Sequence, residues 1–130
     1  MNYQNILKPS TYSFAALLLT STLFGNALAA QGDIGPVYVE HVSVVALAAG
    51  GHSAGNLEVK IKGGFAVPSG VSCDGTFITT LKSVDADKRL FALLLMAQTT
   101  KQPVNLRITD DPAYTAIGGR CSLIWVTLAQ

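Results

Sequence analysis

The chain has 130 residues, 49% of them apolar, and carries 9 Lys+Arg against 8 Asp+Glu for a formal charge of +1. So even a balance excludes phosphate binding by bulk charge, and no nucleic-acid partner is expected. A chain of about a hundred residues buries too little surface to be split into two stable cores, so one domain is expected beside any leader.

Residues Met1 to Ser13 are polar with a single base, Lys8, and they lead into the apolar stretch Phe14-Ala15-Ala16-Leu17-Leu18-Leu19, which continues through Leu23 and Phe24. The stretch closes on Asn26-Ala27-Leu28-Ala29-Ala30. This is a signal-peptide pattern, and the small residues Ala27 and Ala29 admit a cut before Ala30 or one residue later, before Gln31. A stable membrane anchor is disfavoured: Thr20, Ser21, Thr22, Gly25 and Asn26 interrupt the run, which falls short of the ~20 apolar residues of a spanning helix. No Cys stands at the cut to take a lipid. The expected organisation is a signal peptide over residues 1–30 and one domain over 31–130, exported to the periplasm or the medium. Residues 1–30 hold Lys8 and no acid, so eight bases of the nine remain against eight acids.

Along the domain, Val37 to Leu47 is rich in β-branched residues, with apolar parity at Val37 and Val39 that changes to Val42 and Val44. The flip predicts a bulge near Glu40-His41. Gly50-Gly51-His52-Ser53-Ala54-Gly55 suits a hairpin loop, and Leu57, Val59 and Ile61 then alternate with Glu58, Lys60 and Lys62, the pattern of a half-buried strand. After a turn-rich segment from Gly63 to Gly75 comes a third strand over Thr76 to Leu81. A helix is predicted next, with Ser83 or Asp85 as N-cap, the apolar run Leu90 to Ala97, Lys101 in its last turn and Pro103 beyond it. Val104, Leu106 and Ile108 form a fourth strand, and Cys121 to Leu128 a fifth.

Three strands, one helix and two strands, β-β-β-α-β-β, is the order of the OB-fold. The fold class expected is therefore mainly β with one helix, a five-stranded OB-fold-like barrel, with an α+β sheet under a covering helix as the alternative. Cys73 and Cys121 form an even count in an oxidising compartment, which predicts one disulfide. Two thiolates with only His41 and His52 to help make a poor zinc set.

The stretch from Phe91 to Ile108, through Gln102-Pro103-Val104, followed by Gly119-Arg120-Cys121-Ser122-Leu123-Ile124, resembles two related groups. One is a set of small secreted bacterial proteins, the other the pentameric B subunit of subtilase-type AB5 toxins. The resemblance implies an OB-fold, a disulfide and glycan binding by a ring of subunits. It carries no sugar-contacting residue onto a position here.

Gly51-His52-Ser53-Ala54-Gly55 matches the G-x-S-x-G of a hydrolase nucleophile elbow, which works only between a strand and a helix with an acid and a His downstream. Here a strand is expected to follow and no His lies after His52, so Ser53 is read as a loop residue and no catalytic residue is assigned. His41 and His52 titrate near neutrality in the ordinary case, but neither has a partner the sequence names. No HExxH, CxxC, EF-hand or phosphate loop is present, so neither a cofactor nor a metal is expected. Ligand-binding candidates are Trp125, Arg107, Asn105 and Tyr114, because sugars are held by an aromatic face with planar polar groups beside it. Against this stands the ordinary burial of large aromatics: Leu123 and Trp125 face opposite to Ile124 and Val126, and both sets are apolar.

The eight apolar residues from Leu90 to Ala97 cover every azimuth of a helix, which leaves an outward apolar side. Phe91, Leu93, Leu95 and Met96 are the interface candidates, covered by a homo-oligomer, by another partner, or by the protein's own loops over 63–75 or 110–119. Three functions are carried forward: a non-catalytic module that binds a glycan or an exported protein, a structural protein acting through assembly, and, least favoured, a small enzyme or enzyme inhibitor.

Overall fold

The computed structural model describes residues 29–130; the leader expected over 1–30 lies, up to residue 28, outside the described residues. The elements run β1 Gln31–Val37, β2 Val39–Val44, β3 Leu57–Ile61, β4 Asp74–Thr80, α1 Arg89–Thr100, β5 Val104–Thr109 and β6 Arg120–Leu128. They make one mixed sheet in the order β1-β5-β6-β4-β3-β2, in which only β4 and β6 pair in parallel.

The five expected strands are six: the one expected over Val37 to Leu47 is β2, Val39–Val44, and an additional strand that the sequence reading did not assign, β1, precedes it up to Val37. The two diverge at Tyr38, β1 pairing with β5 and β2 with β3 at the opposite edge. No ladder joins β1 to β2, so the sheet is not closed into the barrel that was expected. Only Tyr38 separates Val37 from Val39, and at about 3.8 Å per Cα step the two edges come within about 7.6 Å of each other there. The sheet therefore coils until its edges meet at one corner.

The bulge expected near Glu40-His41 is present, since the β2–β3 register shifts between Val39 and His41. A bulge leaves a backbone group outside the ladder. Here the Glu40 carbonyl accepts a hydrogen bond from Gln98 Nε2 at 2.8 Å, tying the helix to this edge. The helix lies against β2 and β6 and buries Leu94 and Ala97 completely. Val59, Ile61, Ile78, Leu106, Ile108 and Leu123 meet it in the core with no exposed surface.

Neither Ser83 nor Asp85 is the N-cap. That position belongs to Lys88, in the left-handed region with no side-chain cap. Asp85 caps from farther back: its buried carboxylate accepts from the amides of Leu90 at 2.9 Å and Phe91 at 3.1 Å. Two of the helix's unpartnered first-turn donors are thereby satisfied. At the other end Lys101 stands just past the last turn as the C-cap, with φ of 55°.

Cys73 and Cys121 are joined, with Cα atoms 5.3 Å apart, as expected. The bond sits where the parallel ladder is interrupted, between the pairs Asp74↔Arg120 and Ile78↔Cys121. Asp74 spans the gap by accepting from the amides of Thr76 and Phe77, and these bonds hold its carboxyl below the usual carboxylate range. The segment before Cys73 folds across β1, where Pro68 lies so close over Gly32 that a Cβ there would meet it at 2.4 Å.

The interface candidates divide. Phe91 and Leu93 pack against the core of their own chain. Leu95 and Met96 are 42% and 43% exposed, and neither loop 63–75 nor loop 110–119 covers them among the described residues.

Candidate ligand-binding face

β5 alternates as its sequence requires: Val104, Leu106 and Ile108 are buried, and Asn105 and Arg107 point to the other side. β6 departs from simple alternation. Its register against β5 shifts, so that Arg107 pairs with Trp125 but Ile108 with Leu123, leaving Ile124 as an extra residue. That bulge corrects the expectation that Leu123 and Trp125 share a face. Leu123 is fully buried with Val126, whereas Trp125 is turned out and stays 49% exposed.

The outer face of β1, β5 and β6 thus brings together Trp125, Arg107 and Asp33. Asp33 pairs with Arg107 across the β1–β5 ladder, and its two oxygens accept from Nε at 2.7 Å and Nη2 at 2.8 Å. These two bonds hold the Asp33 carboxyl below its usual range and raise the Arg107 guanidinium above its own. A bidentate pair fixes the plane of the guanidinium as well as its position. Gln31, Arg107, Ile124 and Trp125 line a depression of about 280 Å³ beside it. Asn105 is two residues along β5 on the same side. Its Oδ1 occupies the space over Gly35, where a Cβ would come within 2.5 Å of it and where φ is +132°.

Tyr114 is also exposed but does not line this depression. Its carbonyl is held by the Ser122 hydroxyl, which anchors the loop 110–119 about 10 Å along β6 from Trp125, at about 3.3 Å per residue. Three of the four ligand-binding candidates therefore share one face and the fourth stands apart. Asp33 and Gln31 were missed because nothing local marks them; only the pairing of β1 with β5, between residues distant in sequence, brings them in.

A second polar cluster lies at the β2–β3 hairpin. His52 Nε2 is 3.1 Å from Glu58, Glu58 is paired with Arg120, and the Arg120 guanidinium stacks 4.7 Å over the Phe77 ring. Burial, and then the Arg120 charge, push the His52 imidazole below its ordinary value. Glu58 would favour the imidazolium, but its charge is already matched by Arg120. His52 Nδ1 is buried and has no hydrogen-bond partner, so Ser53 is not bonded to it. Ser53 lies in a loop between two strands, without the strand-to-helix turn of a nucleophile elbow. His41 is exposed on β2.

Among the described residues no three His, Cys, Asp or Glu side chains gather as a metal site, and no helix is long and apolar enough to cross a membrane. Compared with protein-family models, with curated proteins and with solved structures, the chain matches none.

Proposed function

We infer that the protein is an exported, non-catalytic binding module of OB-like design that holds a carbohydrate on the outer face of β1, β5 and β6. The observation that carries this reading is a half-exposed Trp125 directly across the strand from an Arg107 whose plane is set by Asp33. An indole face supplies broad apolar area for the C–H side of a sugar ring. A fixed guanidinium beside it supplies donors to hydroxyls at the ring edge. The depression is shallow, as suits the end or side of a glycan chain more than an engulfed small molecule. Strand connectivity supports the OB reading: with β1 and β2 counted as halves of one bent strand, the ladder order becomes 1-4-5-3-2-1.

A glycan array probed with the exported protein tests the proposal. Reproducible binding to a sugar class, lost in a folded Trp125→Ala variant, is expected. Silence across the array, or binding that ignores Trp125, overturns it.

A second reading is favoured by one observation, the uncovered side of α1 at Leu95 and Met96. On this reading the protein acts by assembly, a second copy covering the helix. Sedimentation equilibrium separates the two: self-association abolished by Met96→Lys supports assembly, and a monomer at every concentration rules it out.

A further inference from the structure

The two cuts admitted by the leader differ sharply in what they do to the folded domain. Ala30 is already tied into it. Its amide donates to Asp110 Oδ1 at 2.9 Å, and its carbonyl accepts from the Thr109 hydroxyl at 2.9 Å and from the Asp110 amide at 3.3 Å. Asp110 is itself positioned by the Ser72 amide, which donates to its other oxygen at 3.0 Å, next to the disulfide. A cut before Gln31 would remove the Ala30 carbonyl and leave the hydroxyl of Thr109, a residue with no exposed surface, without its acceptor. A donor in that position that loses its acceptor weakens the fold. A cut before Ala30 keeps all three bonds and strengthens one of them.

We propose that the leader is removed between Ala29 and Ala30 and that Asp110 is the built-in acceptor for the α-ammonium so formed. The step is a hydrolysis by a leader peptidase that accepts small residues at Ala27 and Ala29. The hydroxyl of water goes to the Ala29 carbonyl carbon, the C–N bond breaks, and the proton goes to the Ala30 nitrogen, which takes a second from solvent near neutral pH. The neutral amide donor 2.9 Å from Asp110 becomes a cation at that place. A hydrogen bond between ionised partners is about twice as strong as a neutral one. Asp110 thus acts as a positioning residue for the mature amino terminus, and processing completes the β1 edge.

The sign of the pH dependence follows from the charge. A carboxylate beside an ammonium raises its pKa in the folded state, so the added stability is full below the unfolded α-amino value of about 7.7–8.0 and disappears as pH rises through the folded value. Two measurements test the proposal on protein recovered from an exporting cell. Intact mass and amino-terminal sequencing should give a chain beginning at Ala30; one beginning at Gln31 or beyond, or an uncut chain, overturns it. The stability difference between wild type and Asp110→Asn should be largest near pH 7 and shrink by about pH 9.5, beyond the ordinary α-amino value. A difference constant over that range is the mark of a plain hydrogen bond and removes the ion pair. Should Asp110→Asn fail to fold, NMR titration of the wild-type α-amine decides the matter. It should titrate above the ordinary α-amino range, and a value within or below that range defeats the proposal.

Discussion

Ile124 shows how one residue redirects its neighbours. Without the shift at Ile124, Trp125 would keep the parity of Leu123 and enter the core; with it, the indole faces solvent beside Arg107. On the proposed reading, Asp33 has a role separable from stability. Pairs this exposed contribute little to folding, so Asp33→Asn should leave the melting temperature unchanged while loosening the guanidinium. Glycan affinity should fall, and an unchanged titration against the array's best sugar would show that Asp33 does not position Arg107. Because its carboxyl is held below the usual range, binding that depends on the pair should persist as pH falls through ordinary carboxylate values and weaken only below them. His52 behaves in the opposite sense. Its folded pKa is depressed while the unfolded chain titrates near 6.5, so the unfolded state binds more protons below that value. Stability should be complete above about pH 6.5 and decline as pH falls from there toward the folded value. Urea denaturation between pH 5 and 7 should show this slope, and His52→Gln should flatten it. A slope that survives the substitution would place the titration elsewhere.

Elements carried by local pattern were legible. β3 and β5 alternate cleanly in sequence and form over the expected residues, and the parity change from Val39 to Val42 marked the Glu40 bulge. What was not legible depends on partners far away in the chain. β1 was not foreseen at all: the expected strand began at Val37, and Gln31–Val37 is a strand through its pairing with β5, at the opposite edge from β2, which no window of β-branched residues records. The helix start shows the same limit. Asp85 was read as an N-cap from its distance to the apolar run, but residues 81–88 turn tightly, with Val84 and Asp85 amides bonded to Leu81 and the Lys88 amide to Asp85. The turn carries the carboxylate under the helix end and leaves Lys88 at the cap. Because Asp85 is buried and serves two amides, Asp85→Ala should cost at least the 0.5–2 kcal/mol of an ordinary cap, about 2 kcal/mol here. Chemical denaturation would read this directly, with helix content retained. A cost near zero would mean that water replaces the carboxylate at both donors.

At the scale of the whole molecule, the candidate site and the joining of the two halves of the sheet both depend on β6. This strand pairs antiparallel to β5 and parallel to β4, which in turn pairs antiparallel to β3. Its junction with β4 is also the poorest part of the sheet, since Asp74 pairs with Arg120 and the next register pair is Ile78 with Cys121. Beside the ladder itself, the Asp74 amide donates to the Gly119 carbonyl at 2.7 Å. The disulfide crosses the same seam and links residues 48 apart in sequence. Closing a loop of that length removes unfolded-chain entropy worth about 4 kcal/mol in the chain-entropy model, a large share of the 5–15 kcal/mol typical of a domain. Reduction should therefore lower unfolding free energy by about 4 kcal/mol. The loss should act first where the ladder is thinnest, so hydrogen exchange should rise at Asp74 and across residues 119–122 before it rises at Leu106 or Ile108. Mass measurement with alkylation, before and after reduction, establishes that the bond is present in the purified protein. Denaturation with and without reductant then measures its contribution. A reduced protein as stable as the oxidised one, with exchange unchanged at the seam, would show that the hydrogen bonds there suffice to hold β4 against β6.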